Sequence, residues 1–349
     1  MKYKEIIEIN GQKMTKQYIA SLNKEQRIAL IDPMFNYFRE LGWMLPDFDP
    51  ETLKKEYQRL VNFSPDISVN EAYNNTSMAT CICQYFYRKS FYSVTDRIRD
   101  KIKPTMEKNF LNDDILKKMC RNRLGIEWYE DEPLSTFNIT PKMLMYQCQR
   151  SMRLIPGTTM FKPSIAKLIY LKYSQENDLC YDFSMGFGGR ALGAISCNRR
   201  YLGIDPLTYL ETQEMMEFFN ISKDKYELIN GCSEDYIGDE NSIDFAFSSP
   251  PYYDQEYYSS DVTQAYNKGE DYFYNTYWAK TLVNIKRMVK PDKFIALNLG
   301  INYERMFNMA KEVFGEPIET FKLRTIRSHL NKTGKENATK YEPVYIFKK

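Results

Sequence analysis

The sequence predicts an α/β protein, with a doubly wound sheet over residues 156–349 that closes in an antiparallel hairpin, preceded by a mainly α region over residues 1–155. Three observations carry this expectation. From Phe161 onward, short apolar runs alternate with helical patterns. A glycine-rich turn, Gly186-Phe187-Gly188-Gly189, follows the first of those runs. The last two runs are joined by a long polar stretch without a helical pattern, which suits a hairpin and not a crossover.

In the first region, apolar residues recur at helical spacing over 25–41, 50–61, 70–92 and 141–154, and strand-like alternation is scarce. Pro156-Gly157 marks the junction. Beyond it, Ser164 stands where a hydroxyl caps a helix running through Ile165, Leu168 and Ile169. Strand candidates follow at 179–183, 201–205, 227–229, 243–248, 294–299, 319–326 and 344–347. Helical patterns at 207–219, 272–289 and 303–314 separate most of them, and the polar stretch 327–341 joins the last two.

Composition narrows the function classes. A chain of 349 residues, 43% hydrophobic and 27% charged, can bury a full core and reads as a soluble globular protein. No apolar run approaches the roughly 20 residues of a membrane span, and Met1-Lys2-Tyr3-Lys4-Glu5 opens no signal segment. A cytoplasmic location without a membrane partner is expected. Seven scattered cysteines, with Cys81-Ile82-Cys83 the one close pair, argue against a disulfide framework or a zinc site. The single histidine, His329, rules out a histidine-based metal cluster and leaves a serine triad without a plausible base, so no metal is expected. A net charge of +2 neither requires nor excludes nucleic acid, and local charge has to decide.

The chemistry-bearing residues fall at strand ends. Ser249-Pro250-Pro251-Tyr252 closes the run Ile243-Asp244-Phe245-Ala246-Phe247-Ser248. Neither proline offers an N–H, so the ladder stops there and carbonyls are held beside an aromatic ring, an arrangement suited to a planar ring bearing an amino group. The turn from Asp182-Phe183-Ser184 through Gly186 and Gly188 lies where a backbone must turn tightly and approach a ligand, and Asp205 ends the next run at the offset where an acid meets ribose hydroxyls. Both fit a nucleoside-bearing cofactor. Gly186–Ala191 also satisfies a loose dinucleotide pattern, so a nicotinamide cofactor stays open on these residues alone.

In their order along the chain, these features resemble the S-adenosylmethionine-dependent amino-methyltransferases that act on bases. Ser249-Pro250-Pro251-Tyr252 resembles their motif IV, (Asp/Asn/Ser)-Pro-Pro-(Tyr/Phe/Trp). Phe183–Gly188 resembles motif I, Phe-x-Gly-x-Gly, one residue longer than usual. Asp205 falls at motif II, 230–235 at the motif after the third strand though without the common Gly-Asp pair, and Phe161-Lys162-Pro163 resembles the Lys-Pro of motif X. The resemblance covers the chain from Phe161 on and implies a seven-stranded Rossmann-like methyltransferase sheet with a C-terminal antiparallel hairpin. It implies S-adenosylmethionine held by Lys162, Pro163, Asp182, Phe183, Ser184, Gly186, Gly188, Asp205 and either Ser233 or Glu234. It also implies methyl transfer at Ser249, Pro250, Pro251 and Tyr252, by direct attack of an exocyclic amine and without a histidine.

The substrate implied is a base in DNA, as in restriction–modification, with a duplex base flipped out to reach the pocket. Serine before Pro-Pro leans to cytosine N4 over adenine N6 by family usage. RNA or a protein glutamine is the alternative substrate; a nicotinamide-dependent oxidoreductase and a non-catalytic nucleic-acid-binding module are alternative classes. Two basic segments are candidates for phosphate contact: Arg88 and Lys89 among aromatics, and Arg324, Arg327 and Lys332 around the terminal hairpin. The loop 253–258 is read either as a cover over an extruded base or as a solvated surface loop.

Overall fold

The computed structural model describes residues 2–73, 76–98, 101–126, 138–150, 160–253, 256–261, 263–325 and 340–349. Of the residues singled out above, Arg327, His329 and Lys332 lie outside the described residues, as do Pro156-Gly157. The chain forms two compact units, each assembled from separated segments: Pro50–Tyr87, Met160–Gln255 and Ser259–Lys349 make the sheet-bearing unit, and Met1–Asp49, Arg88–Thr159 and Glu256–Tyr258 make the other. Pro50–Tyr87, expected in the helical region, therefore packs with the sheet.

The sheet has eight strands: β1 (Glu71–Tyr73), β2 (Leu179–Asp182), β3 (Arg200–Ile204), β4 (Tyr226–Ile229), β5 (Ile243–Ser248), β6 (Val289–Asn298), β7 (Glu319–Thr325) and β8 (Lys340–Lys348). Their order across the sheet is β1-β7-β8-β6-β5-β2-β3-β4. Strands β2 to β6 pair parallel where they adjoin, while β8 runs antiparallel to both β6 and β7. This is a Rossmann-like mixed sheet with an antiparallel terminal pair. All six residues of β5 are buried, as a central parallel strand covered on both faces requires, and its apolar run is nearly continuous for that reason.

Three differences from the sequence reading have physical causes. Residues 70–92 were expected to be helical throughout, but Glu71–Tyr73 pair parallel with β7 at the sheet edge, with Leu323 opposite Ala72. Pairing with a partner about 250 residues away is invisible to local periodicity. Strand β6 begins at Val289, earlier than expected, because Pro291 and the left-handed Asp292 (φ 62°) interrupt its ladder between Val289 and Phe294. Ser164 does not cap the helix near it. Pro163 takes the first helical position of α1 (Pro163–Tyr173) after Lys162, and the Ser164 hydroxyl lies 3.3 Å from that of Thr76.

Further helices flank the sheet: α2 (Gly189–Ile195), α3 (Tyr209–Phe218) and α5 (Glu304–Phe314), with α4 between the last two. Glu270–Tyr272, Phe273–Trp278 and Ala279–Met288 form α4 as one continuous helix whose middle part is a π-helix. Helix α2 lies very close to α1. A Cβ at Gly189 would fall 1.8 Å from the Phe161 carbonyl oxygen, and one at Gly193 would fall 2.6 Å from Ala166 Cβ. Gly189→Ala is therefore expected to lower the thermal unfolding midpoint by several degrees, since the backbone itself must move.

The other unit is mainly helical. Asn23 and Gln26 form a capping box on Lys24–Ala29, Asn112 caps Asp113–Leu124, and Gly125 closes that helix at φ 72°. Arg39 ties Ile31–Leu41 to the carbonyl of Phe110 at 2.7 Å. Glu256–Tyr257 pair antiparallel with Thr95–Ile98, which pair in turn with Lys101–Ile102. The loop 253–258 thus contributes a strand to this unit, while its Asp254 and Gln255 lie outside the described residues. Among the described residues no helix is long and apolar enough to cross a membrane.

Candidate functional site

Strand order fixes where a site forms. From β2 the sheet extends to β3 and β4 on one side and to β5 and β6 on the other, so the crevice at the carboxyl ends of β2 and β5 is its topological switch point. The glycine turn leaves β2 there, and Ser249-Pro250-Pro251-Tyr252 leaves β5 beside it. Asp205 lies one residue past β3, and Ser233 and Glu234 lie past β4. The strand-end candidates are thereby gathered along one edge of one sheet.

Asp182, wholly buried at the end of β2, holds the turn from behind. Its Oδ2 accepts from Arg190 Nε at 2.9 Å and from the Tyr201 hydroxyl at 2.8 Å. Its Oδ1 accepts from Arg190 Nη2 at 3.2 Å, from the Ser248 hydroxyl at 2.7 Å and from the Ser184 N–H at 3.3 Å. One carboxylate therefore joins the ends of β2, β3 and β5 to the first turn of α2. Burial alone would lower the Arg190 guanidinium, but the facing Asp182 more than reverses this and leaves it above its ordinary value. Arg190 also donates to the Ser184 carbonyl.

The turn has one residue more than the usual motif because Met185 is structural: it is buried, and its N–H donates to the Ile204 carbonyl at 3.1 Å, fastening the turn to the end of β3. Phe183 packs inward toward Trp278 of α4, with ring centroids 6.1 Å apart. Gly186 takes the left-handed conformation (φ 56°), a Cβ there would make ordinary contact with Arg190 Nη2 and the Ser184 carbonyl oxygen at 3.9 Å, and its N–H donates to Asp205 Oδ2 at 3.1 Å. Gly188 (φ 73°) is required twice over, since a Cβ would fall 2.4 Å from the Tyr87 ring. Tyr87, read from sequence only as one of the aromatics of a basic segment, hydrogen-bonds Thr212 at 2.8 Å and braces the turn from the segment that carries β1.

Asp205 Oδ1 accepts from the N–H groups of Leu207 and Thr208 at 2.8 and 3.0 Å. Burial raises its carboxyl above the ordinary value, with these bonds and that from Gly186 acting the other way. The Ser233 hydroxyl is turned inward and lies 2.9 Å from that of Thr281 on α4. Glu234 is buried; its Oε1 accepts from the Tyr272 hydroxyl at 3.1 Å, whereas Oε2 has no partner among the described residues. Burial pushes its carboxyl up as well. Lys162 precedes Pro163 at the start of α1, its ammonium pushed down by burial while Cys83 acts against the shift.

At the motif itself, Ser249 and Pro251 are half-buried and Pro250 is buried. The Tyr252 hydroxyl accepts from the Gly300 N–H at 2.7 Å, which fixes the ring, and that ring lies flat on Tyr303 with centroids 3.7 Å apart and planes 6° apart. Tyr303, just before α5, was read from sequence only as the start of the helical pattern 303–314.

The basic candidates are less uniform. Arg88 lies 3.6 Å from Asp47 and Lys89 is exposed, both in the helical unit. Arg324 on β7 donates to Glu71 of β1 at 2.6 Å, so its charge is compensated at the sheet edge. Among the described residues, no group of three or more His, Cys, Asp or Glu side chains is arranged to hold a metal ion.

No protein-family model matches this chain, and no curated protein matches it. Similar solved structures include a tRNA (m1A58) methyltransferase from Aquifex aeolicus, 14% identical with a TM-score of 0.38 over 55% of this chain and 71% of that one. An S-adenosylmethionine-dependent O-methyltransferase from Thermotoga maritima is 11% identical with a TM-score of 0.36, over 57% and 69%. A TehB-like S-adenosylmethionine-dependent methyltransferase from Corynebacterium glutamicum is 15% identical with a TM-score of 0.35, over 58% and 96%. Likenesses of this size assign neither ligand nor reaction.

Proposed function

We propose that this chain transfers a methyl group from S-adenosylmethionine to the exocyclic amino group of a base in DNA, with cytosine N4 favoured over adenine N6. One observation carries the reading: a glycine turn and a Ser-Pro-Pro-Tyr segment leave adjacent strands at the switch point of the sheet, held together by Asp182 and Ser248. The residues present fit the cofactor. Asp205 Oδ2 accepts from the Gly186 N–H, and its remaining lone pair is the acceptor for a ribose hydroxyl. The unpartnered Glu234 Oε2 is an acceptor for the adenine amino group, and Lys162-Pro163 line the methionine end.

When bound, S-adenosylmethionine supplies an electrophilic methyl group on a sulfonium. The chain's own residues do the rest. The Ser249 hydroxyl and the Pro250 carbonyl accept the two N–H bonds of the amine, which favours a tetrahedral nitrogen and frees its delocalised lone pair. Tyr252, its hydroxyl fixed through Gly300, stacks on the base. As the amine forms its bond to the methyl carbon, that carbon's bond to the sulfonium breaks and leaves a neutral thioether; the nitrogen acquires the positive charge and then loses a proton to solvent, so no histidine is needed. Lys89 and the segment around Arg324 remain the candidate backbone contacts, together with Arg88, Arg327 and Lys332.

The test is a nucleoside hydrolysate of DNA and RNA from cells with and without the expressed chain. N4-methylcytosine or N6-methyladenine in the DNA of expressing cells supports the reading; unmodified DNA beside newly methylated RNA overturns the choice of DNA.

A further inference from the structure

Two buried polar atoms near the carboxyl end of β4 have no partner among the described residues: Glu234 Oε2 and the Tyr277 hydroxyl. Each such atom carries an uncompensated desolvation penalty, so two together call for something that completes both. Their surroundings put them on one side of α4. Glu234 Oε1 bonds Tyr272 at 3.1 Å, and the adjacent Ser233 bonds Thr281 at 2.9 Å, so this short segment lies along α4 between residues 272 and 281.

The π-helix decides which side chain stands between those contacts. In an uninterrupted α-helix Thr276 would follow Tyr272 at one turn, but across Phe273–Trp278 the spacing is five, and Tyr277 takes that position. From Ala279 the α spacing resumes, and Thr281 follows Tyr277 by four. Burial raises the Tyr277 hydroxyl far above its ordinary value, and Glu234 and then Asp205 are the charges that weigh most on it. The Tyr277 ring packs against Phe273 and Trp278, with centroids 5.2 and 6.4 Å away, so packing accounts for the ring and leaves the hydroxyl unexplained.

We propose that Tyr277 is a specificity residue for the cofactor's nucleoside: its hydroxyl donates to adenine N1 while Glu234 Oε2 accepts from the adjacent 6-amino group. This rests on S-adenosylmethionine as the cofactor. A donor beside an acceptor matches adenine and opposes a 6-oxopurine, which offers the reverse pair, an acceptor oxygen and an N1–H. The π turn is the device that brings the donor into register.

Calorimetric titration of the full chain with S-adenosylhomocysteine and with S-inosylhomocysteine tests this, using wild type, Tyr277→Phe and Glu234→Gln. The expected result is a wild type that prefers the adenosyl ligand and a Tyr277→Phe chain, folded by circular dichroism, that binds it about five- to tenfold more weakly. The adenosyl-over-inosyl ratio should fall by a similar factor, and Glu234→Gln should lower it as well. A Tyr277→Phe chain with wild-type affinity and an unchanged ratio overturns this inference alone. A wild type that binds neither ligand overturns the cofactor reading and this inference with it.

Discussion

Replacing Arg190 with methionine is expected to destabilise the protein by about 3–5 kcal/mol, the loss typical when one partner of a buried ion pair is removed. Arg190 and Asp182 are 4% and 0% exposed, so the carboxylate left behind has no access to water. The hydroxyls of Tyr201 and Ser248 would still bond it, but two neutral donors do not replace a bidentate guanidinium. The damage should also reach the turn, because Arg190 holds the Ser184 carbonyl, and affinity for S-adenosylmethionine should drop with stability. Urea unfolding at constant slope measures the first effect and calorimetry the second. Arg190→Lys keeps the charge without the fork and should fall between. In the double variant Asp182→Asn/Arg190→Met, part of the loss should be recovered, since no charge is then stranded. A loss below about 1 kcal/mol, the range of exposed pairs, would mean that this carboxylate does not organise the strand ends.

Tyr252→Ala is expected to reduce turnover by about 10²-fold, the scale of a misplaced reacting group, while S-adenosylmethionine affinity stays close to wild type. The ring is held by Gly300 on one edge and by Tyr303 across its face, and neither contact touches the glycine turn. Base–aromatic stacking contributes about 1–3 kcal/mol by alanine substitution, and loss of alignment adds to it. Tyr252→Phe keeps the stacking face and loses the Gly300 bond, so it should retain most of the activity. Steady-state kinetics beside calorimetric titration separate the two roles. Equal loss of binding and turnover in Tyr252→Ala would place this ring in the cofactor pocket and not against the base.

The sheet was legible because its strands are short, apolar and bounded by turn residues. Ile243–Ser248 was read with the bounds that the structure gives it, since its apolar centre is continuous and Pro250-Pro251 stop the ladder just beyond its end. The turn after β2 was legible through its glycines, two of which take positive φ. What escaped was non-local. The pairing of Glu71–Tyr73 with β7, the brace from Tyr87 and the Asp182–Arg190–Ser248 network all depend on residues brought together by the fold. Arg190 did carry a signal, directly after the last glycine of the turn, but a basic residue there is also an ordinary helix residue. The π turn in α4 carries no pattern that periodicity detects, and it shifted the aromatic face by one residue. The partner of Arg324, a residue of the segment read as a phosphate contact, was likewise not legible: Glu71 reaches it only across the sheet edge.

Methyl transfer to an exocyclic amine is the reaction on which the roles of Ser249, Pro250 and Tyr252 depend. Purified chain incubated with DNA and S-adenosylmethionine labelled on its methyl group, followed by hydrolysis and mass analysis of the nucleosides, measures this directly. The expected result is label on cytosine N4 or adenine N6, lost in Tyr252→Ala. Label confined to a ring carbon, or no labelled nucleoside from DNA while S-adenosylmethionine binds, would contradict it.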